Sequence, residues 1–330
     1  HQTHHQIAHF DAIFNSIEKL FLEAIKMNSK EPEIHLFPEL FLTGYPLQDL
    51  CLDGSFQEKY QGLIARINAL SLEFPVNDKI LFLMGGLDYQ NDLIHNSILA
   101  LSPGKELVSI YDKMLLPSYD IFDEKKYFKE GKKIGTIHFH DFHLALLICE
   151  DMWFSPQFHE RNPVQELFEL HQKKERFDAI LNLSASPFTI PKISERMSLA
   201  KSISKLFECP LAYVNRVGGE DEILFDGNSF VQNQENTLAH AQAFKEDTLV
   251  VSFEKNNKPQ SNTHHAIPQI FQTASLFKFT DEEMDMTIKA LSFGLQEYAR
   301  KSGFNKFVIA LSGGLDSSVV LSLVKLSLSK

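Results

Sequence analysis

The stretch Leu146-Leu147-Ile148-Cys149-Glu150-Asp151-Met152-Trp153 decides how the rest of the chain is read: an apolar run ends on a thiol, and polar residues take over at once. Two other apolar runs end in the same manner, Ile34 to Phe37 before Pro38-Glu39 and Leu107 to Ile110 before Lys113. Short apolar runs of this kind read as buried strands, and residues that do chemistry gather where such strands end. A thiol, a carboxylate and an ammonium supply a nucleophile, a base and a holder for a developing oxyanion, the make-up of a nucleophilic amidase site. Cys149, Glu39 and Lys113 are therefore the candidate catalytic residues.

Outward from this stretch, helical and strand patterns alternate. Ile13, Phe14, Ile17, Leu20, Phe21 and Ala24 recur at helical spacing, and a second helix runs from about Gln57 to Leu72. Strands are expected at Ile34 to Phe37, Ile80 to Met84, Ile94 to Leu101, Leu107 to Tyr111, Thr136 to Phe139, Leu144 to Ile148, Ala179 to Leu183 and Leu211 to Asn215. Turns are expected at Gly85-Gly86 and Pro103-Gly104, and helices at Pro163 to Lys174 and Ser194 to Phe207. Such alternation predicts a layered α/β sandwich. Polar residues crowd from Glu254 to Gln269, which reads as a linker. Beyond it come an amphipathic helix, Asp281 to Ala299, a strand, Phe307 to Leu311, and a helix from Ser318 to Leu328.

Composition narrows the function classes. The 330 residues are 44% hydrophobic and 23% charged, as in ordinary globular proteins. A net charge of -11 with no basic block argues against a nucleic-acid partner. The three cysteines, Cys51, Cys149 and Cys209, are too few and too widely spaced for a disulfide framework or a zinc site, which fits a reducing cytoplasm. No apolar run approaches the ~18–20 residues of a membrane span, and the start lacks the order of a signal peptide. The first residues, His1-Gln2-Thr3-His4-His5-Gln6, lack an initiator Met, so the sequence is expected to begin inside the natural chain, with these residues solvated at a frayed end.

Ser312-Gly313-Gly314-Leu315-Asp316-Ser317-Ser318 reads as a phosphate-binding loop between a strand and a helix. Two glycines let backbone amides approach a polyanion, hydroxyls add donors, and the helix presents its N-terminus. The Lys of a γ-phosphate loop is missing.

The catalytic candidates and their neighbours resemble the nitrilase superfamily, and more closely the glutaminase domain of the glutamine-dependent NAD synthetases. The stretches that carry this are Phe37-Pro38-Glu39-Leu40 with Thr43-Gly44-Tyr45-Pro46, Lys113 with Leu116-Pro117-Ser118-Tyr119 and Phe122 to Phe128, and Ile148 to Trp153. Asn182 to Phe188 and Asn215 to Glu222 with Phe225-Asp226-Gly227 follow in the family's order. The glycine loop, in turn, resembles the pyrophosphate loop of ATP pyrophosphatases.

The resemblance implies a four-layer α-β-β-α sandwich over residues 1–253, a linker at 254–275, and at 276–330 the beginning of a Rossmann-like ATP-pyrophosphatase domain. It implies Glu39 as general base, Lys113 as oxyanion stabiliser and Cys149 as the nucleophile that forms a γ-glutamyl thioester. Tyr119, Ser186 and Lys192 would hold glutamine, and a cation at Lys192 suits an α-carboxylate. Ser312 to Ser318 would bind ATP, with Asp316 on Mg2+, and the activated substrate would be nicotinate adenine dinucleotide. A homo-oligomer is also implied. Glu150 and Asp151 are expected to orient neighbours, because carboxylates beside a thiolate raise its pKa; Trp153 is expected to pack. Pro191, Glu220 and Asp120 depart from the family pattern, and its first strand is largely absent. Two other readings stand beside this one: a free-standing amidase with a vestigial ATP loop, and an inactive scaffold or assembly module.

Overall fold

The computed structural model describes the chain except residues 28, 174–175, 254–259, 262–278 and 329–330. Its elements run α1 (Phe10–Met27), β1 (Glu33–Leu36), α2 (Gly54–Leu72), β2 (Ile80–Gln90), β3 (Leu93–Leu101), β4 (Val108–Asp112), β5 (Gly135–Phe139), β6 (Phe142–Ile148), α3 (Pro163–Gln172), β7 (Ala179–Ser184), α4 (Lys192–Phe207) and β8 (Leu211–Asn215). Then follow β9 (Val217–Glu220), β10 (Ile223–Asp226), β11 (Phe230–Gln232), β12 (Thr237–His240), β13 (Val251–Ser252), β14 (Gln260–Ser261), α5 (Asp281–Lys301) and α6 (Leu315–Leu328).

Two sheets form the centre, a four-stranded one in the order β1-β2-β3-β4 and a six-stranded one in the order β12-β11-β8-β7-β6-β5. Alternation along each strand sorts the layers. Leu81, Leu83, Ile98, Leu144, Leu146, Ile148 and Leu181 point into the space between the sheets. Phe82 and Met84 face the other way, onto Ile13, Ile17 and Phe21 of α1 and Tyr60, Leu63 and Ile67 of α2. On the far side Ala145, Leu147, Ile180 and Leu211 meet Leu167 of α3 and Ile193, Met197 and Ala200 of α4. Each fully buried aliphatic side chain here contributes about 1.5–3 kcal/mol. The result is the expected helix-sheet-sheet-helix sandwich.

Local signals set the helix ends. Asp53 accepts from Phe56 N (2.8 Å) at the start of α2, and Asn162 accepts from Gln165 N (3.1 Å) before Pro163 in α3. Thr280 and Glu283 close a reciprocal capping box on α5.

Three expectations are corrected, and several short strands went unforeseen. Gly85-Gly86 is no turn: both residues lie inside β2, which continues to Gln90. A Cβ at Gly85 would stand 2.4 Å from Pro38 O and Leu40 N, so the residue is glycine because the Glu39 loop passes directly over it. Phe307 to Leu311 forms no strand; among the described residues nothing lies beside it to pair, and Val308 is 99% exposed. The hairpin β9–β10 and the strands β11 and β12 went unforeseen, being only three or four residues long.

The first residues are held rather than frayed. Gln2 is 2% exposed and bridges Asp247, and its side chain serves Gln242 O, Lys245 O and Ser229 N. Gly44, Gly218 and Gly227, all with positive φ, leave room for Ile7, His4 and Gln2, which a Cβ at each position would strike. Of the expected linker, only Gln260–Ser261 is described, paired with Val251–Ser252; the remainder through 275 lies outside the described residues.

Candidate active site

In each sheet the strands that matter run parallel, so their C-terminal ends open on one edge. β1 is parallel to β2, β3 and β4 each reverse direction, and β6, β7 and β8 are mutually parallel. Glu39 follows β1, Lys113 follows β4 and Cys149 follows β6, and the sandwich brings the three together. Glu39 is 2% and Lys113 1% exposed, while Cys149 is half-buried. Of the three, only Cys149 keeps appreciable exposed surface.

Lys113 Nζ donates to Glu39 Oε1 at 2.6 Å and to both oxygens of Glu124 at 2.9 and 2.8 Å. Asn96 Nδ2 also donates to Glu39 Oε1, at 2.8 Å, and Ala185 N to Oε2 at 2.9 Å. Burial alone would lower the Lys113 ammonium, yet Glu124 and Glu39 hold it well above its ordinary value. Burial pushes Glu124 up to about 7 against the pull of Lys113, and Tyr45 OH donates to its Oε1 at 2.8 Å. Burial raises the Cys149 thiol as well, Glu39 adding to the rise and Lys113 opposing it. A thiol so placed is protonated at neutral pH and needs a base to attack.

The backbone at Cys149 has φ 43°, the left-handed region that a side chain other than glycine enters only under constraint. Asp151 supplies that constraint. Its carboxylate accepts from Ile148 N (2.9 Å) and Tyr111 OH (2.7 Å) on one oxygen, and from Met114 N (3.1 Å) and Leu115 N (2.8 Å) on the other. One fully buried residue therefore ties the Cys149 turn to the segment following Lys113, and burial lifts its carboxyl to about 6 against those donors. Glu150 takes a hydrogen bond from Tyr119 OH at 2.7 Å and faces His159 Nε2 at 3.5 Å.

The expected glutamine-binding residues lie around this thiol in different states of engagement. Tyr119 bonds Glu150 and stacks on the exposed ring of Phe158, with centroids 5.3 Å apart. Lys192 at the start of α4 sits 4.0 Å over the ring of Trp153, so Trp153 packs as expected but does so against a candidate ligand residue. Ser186 is buried, and its Oγ accepts from Arg196 Nε at 3.1 Å. Asp120 adopts φ 55°, a left-handed conformation that glycine enters at no steric cost, and Glu220 pairs with Lys301 of α5 at 2.6 Å.

Sequence reasoning did not single out Asn96, Glu124 or Arg196. Asn96 falls in the polar trio His95-Asn96-Ser97 inside an apolar strand, and Arg196 sits three residues after Ile193 and four before Ala200 on the buried face of α4. A polar side chain at an apolar position was the available signal. A wider open cleft, about 670 Å3, lies behind the Glu124 turn and is lined by Lys125, Lys126 and Tyr127; none of Glu39, Lys113 and Cys149 lines it.

Ser312 to Ser318 lies apart from these residues, exposed at the start of α6. Gly313 has φ 81°, and the hydroxyls of Ser317 and Ser318 donate to Gly314 O at 3.1 and 2.9 Å. Asp316 stands in the first turn of α6. Among the described residues no group of three or more His, Cys, Asp or Glu is arranged to hold a metal ion, and no helix is long and apolar enough to cross a membrane.

A helix-sheet-sheet-helix sandwich with a constrained thiol at the end of an inner strand, beside a buried Lys and Glu, defines the nitrilase-like class of proteins. The carbon-nitrogen hydrolase family profile matches residues 2–256, and the chain belongs to that family. The NAD synthase profile matches residues 287–330. A glutamine-dependent NAD(+) synthetase of Synechocystis sp. is 31% identical over 97% of this chain and 56% of its own length. The structure of a glutamine-dependent NAD+ synthetase from Acinetobacter baumannii in complex with ADP superimposes with a TM-score of 0.80 at 27% identity, over 99% of this chain and 56% of that one. A nitrilase-superfamily amidase from Nesterenkonia shares the fold, with a TM-score of 0.58 at 18% identity over 74% of this chain and 85% of that one. The chain spans about half the length of the synthetases it matches.

Proposed function

We propose that this chain is the glutamine-hydrolysing part, with the beginning of the ATP-using part, of a glutamine-dependent NAD(+) synthetase. The observation that carries this is the order of two matches in one chain, a carbon-nitrogen hydrolase over 2–256 and an NAD synthase over 287–330. In this reading residues 1–253 are the amidase domain, 254–275 the linker and 276–330 the start of the synthetase domain.

Glu39 takes the Cys149 proton, and the thiolate attacks the side-chain carbonyl of glutamine. The oxyanion that forms meets the Lys113 ammonium, the fixed positive charge at the site. Collapse breaks the C–N bond, Glu39 returns the proton to the departing ammonia, and a γ-glutamyl thioester remains on Sγ. Water, deprotonated by Glu39, then releases glutamate and restores the thiol. Tyr119 and Ser186 line the substrate, and Lys192 meets its α-carboxylate.

Ammonia amidates nicotinate adenine dinucleotide that ATP has adenylated. The Ser312 to Ser318 loop, with its backbone amides at a helix N-terminus, suits the pyrophosphate. A lone carboxylate at Asp316 fits Mg2+, which takes one or two carboxylates with substrate phosphates and water and neutralises phosphate charge when bound. Cytoplasmic residence and a homo-oligomer belong to the same reading.

The test is glutaminase activity of the chain and of Cys149→Ala, with and without ATP and nicotinate adenine dinucleotide, while NAD is followed. Glutamate release lost in the variant is expected from the chain, and NAD formation from the full-length enzyme. Hydrolysis of simple amides but not glutamine would favour a free-standing amidase, and no thiol-dependent activity would favour the inactive scaffold.

A further inference from the structure

Arg196 heads the largest fully buried side chains, at 0% exposed, and all three of its nitrogens are used. Nη1 donates to Asp226 Oδ1 and Oδ2 at 2.8 and 3.0 Å. The other three bonds fall on one turn: Nε to Ser186 Oγ at 3.1 Å, and Nη2 to Ser186 O at 2.9 Å and Pro187 O at 2.7 Å. That turn leaves β7 at Ser184, and its next residue, Ala185, gives the N–H that holds Glu39 Oε2 at 2.9 Å.

A buried ion pair contributes little net stability over an apolar filling of the same volume. What this one supplies is position. A guanidinium offers a rigid fork of donors that reaches a carboxylate and two carbonyls together, which a single ammonium on a flexible stem does not reproduce. The turn is pinned on its other side by Asn215, whose Oδ1 accepts from Ser186 N at 2.8 Å and whose Nδ2 donates to Gly227 O at 2.9 Å. Asp226 belongs to the strand β10 that ends just before Gly227. Arg196 thus joins α4, the Ser186 turn and β10 directly behind Glu39.

We infer that Arg196 is a positioning residue for the base: through the Ser186–Pro187 backbone it aims the Ala185 N–H at Glu39 Oε2 and so sets the orientation in which Glu39 takes the Cys149 proton. This rests on the reading of Glu39 as the base. Loosening the turn degrades proton transfer even where the thiol and its surroundings stay intact.

The test uses Arg196→Lys and Asp226→Asn in the full chain, with Glu39→Gln as the reference for a lost base. Cys51 and Cys209 are buried and Cys149 is not, so iodoacetamide at pH 7 reports on Cys149, and titrated thiols count folded sites. Arg196→Lys is expected to slow alkylation per titrated thiol by about 10- to 100-fold, in parallel with kcat for glutamine, and Asp226→Asn by less. Alkylation at the wild-type rate in either variant, with only a lower unfolding midpoint or a higher KM, overturns the inference and leaves Arg196 a structural or substrate-side residue. If Arg196→Lys does not fold, Asp226→Asn decides. Glutamine hydrolysis absent from the wild type refutes the glutaminase reading while the alkylation comparison still stands, and alkylation unaffected by Glu39→Gln refutes the base itself.

Discussion

Lys113→Met removes the ammonium that two buried carboxylates share. Nζ lies 2.6 Å from Glu39 Oε1 and 2.8 Å from Glu124 Oε2, with all three side chains at most 5% exposed. Deleting one partner of a buried pair costs about 3–5 kcal/mol; here two carboxylates lose it, so the expected loss at pH 8 is near the top of that range. The loss depends on pH. Glu124 is raised to about 7 in the folded chain, from an ordinary 4.5, by burial against the pull of Lys113, and without Lys113 it rises further. A carboxyl raised on folding contributes stability that is fully present below its unfolded value and is lost as pH rises through its folded value. At pH 5 Glu124 carries its proton with or without Lys113, so the gap between wild type and variant narrows there by up to about 1.4 kcal/mol, the one pH unit between the wild-type value of about 7 and pH 8. Urea unfolding at pH 5 and 8 measures both numbers, followed by the fluorescence of Trp153, the chain's single tryptophan, next to the Cys149 turn. Equal destabilisation at the two pH values, or less than about 1 kcal/mol at pH 8, would refute the account of a desolvated Glu-Lys-Glu network. Glutamine hydrolysis in the same variant should fall by about 10²–10³.

Lys192→Met should raise KM for glutamine while kcat for simple amides stays near wild type; a fall in both would place Lys192 in the chemistry. Gly85→Ala puts a Cβ 2.4 Å from Pro38 O and Leu40 N, and the forced shift of the Glu39 loop should cost at least about 1–3 kcal/mol in urea unfolding and depress activity beyond what the residual folded fraction explains. Burial would raise the Glu297 carboxyl, but hydrogen bonds from His4 and Arg300 bring it down to about 2, so its stabilising contact is present above its ordinary 4.5 and lost as pH falls toward 2. Hydrogen exchange in α5 should therefore accelerate below pH 4 ahead of exchange in β6 and β7, and Glu297→Gln should produce the same loosening at pH 7.

Much of the sandwich was legible because its helices and inner strands carry uniform apolar patterns, such as Ile13, Ile17, Phe21 and Ala24 on α1. What escaped depends on long-range contact. Gly85-Gly86 carries the local signature of a turn, and only the passage of Pro38 and Leu40 over Gly85 makes it a strand interior. The segment from Phe307 to Leu311 has strand composition, but a buried strand needs neighbours, and among the described residues it has none. Glu39, Lys113 and Cys149 were visible as polar ends of apolar runs. Glu124, Asn96 and Arg196 were not, since a Glu in a charged loop, an Asn in a strand and an Arg in a helix look ordinary until their partners at Lys113, Glu39 and Asp226 are known.

Glu39 and Lys113 hang from one sheet, whereas Cys149 and the Ser186 turn hang from the other. The gap between base and nucleophile is thus measured by the thickness of the apolar layer that Leu83, Ile98, Leu146 and Leu181 fill between the sheets. Those side chains form a spacer, and a methylene added or removed in that layer changes the reach of a proton transfer without touching any group that takes part in it.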